Sequence, residues 1–210
     1  MKKAYLIIVT ALLLLSIGCT KDNFISTGNS KGRFDGNTLE YLEAHSYDWD
    51  STAIMIRHAG EDMVKLFEGK DEKHPEITFF GMTNHSIRRY LLQNDIKQVR
   101  DLDAEWCKSI LLQHVVDGKH FRTDFPIGEP GDFGSIGTGG ITLPTLGGTE
   151  LWVRTWVDEK GGIVENGARP IFVYFKKASR EFDISSGDME QDNGVVHALE
   201  YWFTLGQEEK

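Results

Sequence analysis

Two runs of residues carry the side chains best suited to holding a ligand. In residues 151–157, Trp152, Arg154 and Trp156 alternate with Leu151, Val153 and Val157; in residues 171–176, Phe172, Tyr174 and Lys176 alternate with Ile171, Val173 and Phe175. Alternate side chains of a strand face opposite ways. If the runs pair, one sheet face carries four aromatic rings with Arg154 and Lys176. An open face of this kind stacks sugar rings, and its polar atoms fix their orientation. A face covered by a second layer packs the same rings, with the cations lying on them at the rim. Trp152, Arg154, Trp156, Phe172, Tyr174 and Lys176 are therefore the candidate ligand-binding residues, provided that the face is open.

Other constellations are weaker. Asp188, Glu190 and Asp192 alternate before Asn193-Gly194 like the start of a calcium loop, but Asn193 and Leu199 stand where such a loop needs glycine and glutamate. A solvated acidic turn accounts for them. Gly134, Gly137, Gly139 and Gly140 lack the Lys-Ser/Thr ending of a phosphate loop. His114 lies on the apolar side of a helix end and His197 on an apolar strand face that continues through Leu199, Tyr201 and Phe203. Neither has an adjacent nucleophile or metal motif, so both read as hydrogen-bonded core histidines. Cys107, between Trp106 and Ile110 at core spacing, reads as a small buried hydrophobe. No catalytic residue, metal or cofactor is expected.

The elements that must position these residues are legible in part. Asn37 or Thr38 caps a helix carrying Leu39, Tyr41 and Leu42. A second helix runs from about Asp50 to Ala59, and a third carries Met63, Val64, Leu66 and Phe67 to Gly69. Residues 77–81 form a short strand and 84–92 a helix; Asp103 caps another helix running to about Val116. Residues 124–148 hold eight of the 22 glycines and three of the five prolines, which makes them a loop or a set of short strands and turns. Strand-like runs follow at 150–157, 170–176 and 195–203. Helices first and strands later imply one α+β domain. The chain has 210 residues, 40% of them hydrophobic and 11% aromatic. That is enough for a sizeable core and too aromatic for a disordered chain. A net charge of −9 argues against nucleic acid as a partner.

The first eighteen residues read as an address. Lys2 and Lys3 precede an apolar run over residues 4–17, too short to span a bilayer as a helix. Leu15-Ser16-Ile17-Gly18-Cys19 resembles the lipobox of bacterial lipoproteins, which implies cleavage before Cys19 and its acylation. The implied layout is a signal peptide over 1–18, a lipidated cysteine and flexible tether over 19–37, and a domain over 38–210. Two or more acyl chains hold a protein on a membrane stably. The expected partner of the lipid is the outer membrane, with the domain displayed at the cell surface or on the periplasmic face.

Three blocks, in order, resemble the fasciclin-like domain family. Ile77-Thr78-Phe79-Phe80-Gly81-Met82-Thr83-Asn84 parallels a pattern T-x-F-A-P-T-N. Leu111-Leu112-Gln113-His114-Val115-Val116-Asp117-Gly118-Lys119 parallels L-L-x-Y-H-V-V-x-G-K. Asn193-Gly194-Val195-Val196-His197 parallels N-G-V-V-H. Met82 replaces the proline, Gln113 the aromatic, and a glycine-rich insertion separates the halves. The resemblance implies a β-sandwich wedge flanked by helices, with Thr83, Asn84, His114, Asn193, Gly194 and His197 as motif positions of structural character. It implies a non-enzymatic role in adhesion or extracellular ligand contact, the ligand being a glycan or an envelope protein. A rival reading is an accessory glycan-binding lipoprotein of an outer-membrane nutrient-uptake complex.

Overall fold

The computed structural model describes residues 32–132, 135–157 and 169–209. The lipobox-like run, Cys19 and the part of the expected tether up to residue 31 lie outside them. Residues 33–37, expected as the end of the tether, belong to the domain: Phe34 N–H donates to Glu190 O at 2.8 Å and Asp192 N–H to Gly36 O at 2.9 Å.

Three helices open the domain, α1 (Thr38–Ala44), α2 (Ser46–His58) and α3 (Glu61–Phe67). A reciprocal capping box starts α1: Asn37 Oδ1 accepts from Glu40 N–H and Glu40 Oε2 from Asn37 N–H, both at 2.9 Å. Helix α2 begins four residues before the expected Asp50 and buries Trp49, Thr52, Ala53, Met55 and Ile56. Strand β1 (Ile77–Gly81) and helix α4 (Asn84–Gln93) follow as expected. Asp103 caps α5 (Ala104–Gln113), accepting from Trp106 N–H at 2.8 Å. The helix stops short of Val116 because β2 (Val115–Asp117) pairs antiparallel with β1.

The insertion supplies β3 (Gly128–Glu129), β4 (Thr138–Gly139) and β5 (Ile141–Pro144), and the two strongly patterned runs are β6 (Glu150–Thr155) and β7 (Ile171–Phe175). Strand β8 (Arg180–Gln191) has no clear apolar alternation and was not expected from its residues. Neighbours on both sides impose it. Residues 180–183 pair with β7, and 184–191 pair with β9 (Gly194–Leu199) across two register shifts. Such irregularities bend a strand, so β8 belongs to both halves of one seven-stranded sheet, ordered β2-β1-β9-β8-β7-β6-β5. Val116 bridges Thr145 beside β5, and Leu146 N–H donates to Val115 O at 2.8 Å. The two ends of the sheet thus meet and nearly close it, with Phe175, Phe182 and Phe203 packed against one another, while Phe79 packs on Phe67 of α3. The architecture is the α+β fold expected, with the layers of the wedge formed by one folded sheet.

Strand β9 ends at Leu199 rather than running through Phe203. Phe203 returns to the core between Phe175 and Phe182, at centroid distances of 6.1 and 4.9 Å. Tyr201 and Trp202 are left outside, 53% and 72% exposed.

Candidate functional site

The aromatic strand face is not an open platform. The two runs do pair and share a face, with Trp152 opposite Tyr174 and Arg154 opposite Phe172. However, Trp152, Arg154 and Tyr174 are only 3%, 4% and 6% exposed. The β3–β4 ribbon covers them. Trp152 Nε1–H donates to Gly139 O at 3.0 Å, and Arg154 Nη1 donates to Gly128 O at 3.2 Å. Arg154 also lies 4.0 Å from the Phe172 ring centroid and grips Glu181 with two bonds of 2.8 and 2.7 Å. Gly140 allows the close approach: its φ is +63°, and a Cβ there would stand 2.6 Å from Trp152 Nε1. Lys176 pairs with Glu150 at 2.7 Å. Trp156, just beyond β6, is 43% exposed. The glycine-rich insertion, read as a loop or a set of short strands and turns, forms short strands that cover this face.

The motif residues hold elements together. Asn84 Oδ1 accepts from Ser51 N–H at 2.7 Å, and its Nδ2 donates to Ser46 O and Tyr47 O, both at 2.9 Å. Thr83 gives α4 an extended N-cap without a side-chain bond. Asn193 Oδ1 accepts from Thr38 N–H at 2.8 Å while Nδ2 donates to Phe67 O at 3.2 Å, tying α1, α3 and the β8–β9 turn. A Cβ at Gly194 would meet Thr38 Oγ1 at 2.4 Å. His114 donates from Nδ1 to Phe80 O at 2.7 Å, with Nε2 facing the buried Glu208 carboxylate at 3.9 Å. His197 donates from Nε2 to His120 O at 2.9 Å and accepts at Nδ1 from Asp188 N–H at 3.3 Å. Its burial pushes its pKa down to about 4, partly opposed by the bond to His120 O. Cys107 is buried, and desolvation pushes its thiol up to about 11, so it is no nucleophile.

The acidic run is spent on cations. Glu190 contacts Arg33 and Lys119, Asp192 contacts Arg33, and Asp188 faces Arg122 at 3.6 Å. Among the described residues, no group of three His, Cys, Asp or Glu side chains is placed to hold a metal ion.

What the molecule does present is a surface between α4 and the 200–203 turn. His85, Arg88, Arg89 and Leu92 recur at helical spacing along one face of α4. Arg89 braces the turn: Nη1 donates to Trp202 O at 3.0 Å and Phe203 O at 3.3 Å, and Nη2 to Tyr201 O at 2.9 Å. Its guanidinium carbon lies 5.0 Å from the Tyr201 ring centroid, and His85 packs on the same ring at 4.8 Å. Trp202 stands edge-on to Tyr201 at 5.3 Å. A cleft of about 320 Å³ lies here, lined by His85, Arg88, Arg89, Leu92, Gln93 and Tyr201. It adjoins a cleft of about 630 Å³ that shares His85 and Arg88 and is flanked by Tyr47, itself 89% exposed. The sequence held one signal for this site, the His85, Arg88, Arg89 and Leu92 stripe. Nothing local marked Tyr201 and Trp202 as leaving the strand.

The described residues thus form a folded sheet with covered faces, motif residues spent on internal bonds and an exposed ring-and-cation surface. The Fasciclin domain model matches residues 51–204, and the chain belongs to that family, whose domains generally serve adhesion or extracellular interactions. A search of curated proteins finds no match. Among solved structures, the FAS1 domain pair of the insect cell adhesion molecule Fasciclin I is similar, at 13% identity and a TM-score of 0.44. That likeness covers 80% of this chain and 46% of the insect one, so the chain spans a little under half its length.

Proposed function

We propose that this protein is a lipid-anchored envelope protein that captures an extracellular glycan without catalysis, using the surface around Tyr201 and Trp202. The observation that carries the reading is Trp202, 72% exposed beside the half-exposed Tyr201 on a turn that Arg89 fixes. Large exposed rings on a rigid support offer contact area at little conformational cost. A glycan-binding accessory to an outer-membrane nutrient-uptake complex is the more specific form of this role. The lipobox supports anchoring through Cys19, on a tether that would display the domain from the outer membrane.

The test is binding of the full chain, in mild detergent, to a panel of neutral and acidic polysaccharides. Binding by the parent and a loss of tenfold or more in Trp202→Ala, with Trp156→Ala unaffected, supports the reading. No binding across the panel, or loss in Trp156→Ala alone, overturns it. Anchoring has its own test. Cys19→Ser should move the protein from the membrane fraction to the soluble fraction, and retention in the membrane would refute lipid attachment there.

A further inference from the structure

The cleft between α4 and the 200–203 turn is charged opposite to the molecule that carries it. Three of its six lining residues, His85, Arg88 and Arg89, are basic or can become so, and none is acidic, in a chain of net charge −9. Elsewhere Arg33, Lys119, Arg154, Lys176 and Lys177 each hold a carboxylate. Among the described residues, neither Arg88 nor Arg89 makes an ion pair. Arg89 spends its Nη1 and Nη2 hydrogens on backbone carbonyls and the Thr204 hydroxyl, which fixes the group while leaving its charge and its Nε–H unmatched. Arg88 is exposed and makes no such bonds. Asp50, on α2, lines the adjoining cleft, which Arg88 also lines.

We infer that this cleft selects the anionic substituent, carboxylate or sulfate, of an acidic polysaccharide, while a neighbouring sugar ring lies on Trp202. The inference rests on the glycan-capture reading and adds its ligand class. Guanidinium groups match planar and tetrahedral oxyanions through paired N–H donors, and such charge-assisted bonds are roughly twice as strong as neutral ones. The acidic body repels polyanions at long range, so the local cations work within about a Debye length and the rings supply the rest. Nucleic acid is the less fitting polyanion, since tracking a phosphate backbone takes a denser basic surface than this cleft offers.

The experiment titrates the full chain with polygalacturonate, chondroitin sulfate, dextran and an oligothymidylate. Parent, Arg88→Gln and Trp202→Ala are compared, with thermal unfolding of each. In about 50 mM salt an acidic polysaccharide should bind at least tenfold more tightly than dextran, and the gap should close near 0.5 M, where screening is strong. Arg88→Gln should lose about tenfold toward the acidic polymer, with unchanged unfolding, so that its preference for the acidic polymer over dextran falls. Trp202→Ala should weaken binding to the acidic polymer. Equal binding of dextran and acidic polymers, indifferent to Arg88→Gln, overturns the anionic selection and leaves glycan capture standing. Tighter binding of the oligothymidylate than of any polysaccharide, or no polysaccharide binding by the folded protein, overturns both.

Discussion

Replacing Trp152 by alanine should damage the fold and not the ligand site. The indole is 3% exposed, lies beneath the β3–β4 ribbon and donates to Gly139 O at 3.0 Å. Truncating a buried tryptophan costs about 3–5 kcal/mol in lost transfer energy and residual cavity, and the hydrogen bond to Gly139 adds about 1 kcal/mol. The thin ribbon can settle into the gap, which favours a net loss of about 3–4 kcal/mol. In a domain of this size each kcal/mol lowers Tm by about 2–4 °C, so the expected fall is roughly 6–16 °C. Trp202→Ala is the matched control. Its ring is 72% exposed, and surface substitutions stay within about 0.5 kcal/mol. Far-UV circular dichroism, read against temperature and urea, avoids dependence on the tryptophans themselves. A fall of less than about 2 °C in Trp152→Ala would refute the covered-face argument and return these rings to the list of possible contact surfaces.

Three further outcomes follow from buried groups. Burial lowers the His197 pKa from 6.5 in the unfolded chain to about 4 in the folded one, so the unfolded state binds the extra proton. The stability gained from the neutral imidazole is therefore fully present above pH 6.5 and lost as pH falls toward 4, a change of about 3 kcal/mol. Urea unfolding of parent and His197→Gln should show their stability difference shrinking by about that amount between pH 7.5 and 4, and a constant difference would sink the assignment. Cys107, held up to about 11 by burial, should ignore a thiol reagent at pH 8 in the folded Cys19→Ser protein and react as one equivalent in urea; rapid labelling of the native state would contradict its burial. Asn193→Ala should cost about 2–4 kcal/mol in urea unfolding, because it strands the buried Thr38 N–H and the Phe67 carbonyl. A loss below about 1 kcal/mol would mean that water replaces both bonds.

What the sequence disclosed was what local chemistry decides. Asp103 announced the start of α5 because an N-cap depends on neighbours three residues away. Likewise the alternation in 151–155 and 171–175 put Trp152 and Tyr174 on one face, since a strand's two faces are fixed by its own pleat, while the register that sets them opposite each other came from the pairing. Strand β8 was hidden because its pairing with β7 and β9, and not its polar residues, makes it a strand. The same blindness affected the candidate site. Glycines in 124–148 signalled turns, yet nothing within them said that the ribbon would fold onto Trp152 and Arg154. Tyr201 and Trp202 continued an apolar run, and only Arg89, more than a hundred residues earlier, and the pull of Phe203 into the core turn them outward.

The motif positions and the exposed cleft are connected by one residue. Asn84 opens α4, which carries His85, Arg88 and Arg89, and its side chain bonds the backbone of Ser46, Tyr47 and Ser51 at the start of α2. The amide therefore fixes the spacing of the two helices that form the walls of the larger cleft, while Arg89 fixes the turn that borders the smaller one. Neither residue needs to touch a ligand to matter for binding. Both reduce the number of conformations that a ligand would otherwise have to freeze, and ordering a single rotamer-rich side chain costs about 0.5–1.5 kcal/mol. A residue type kept for internal bonds can thus set the geometry of an external surface. This is how a scaffold whose motif residues Asn84, Asn193, His114 and His197 are spent on internal bonds can carry different ligand contacts on the exposed face of α4 and the turn beside it.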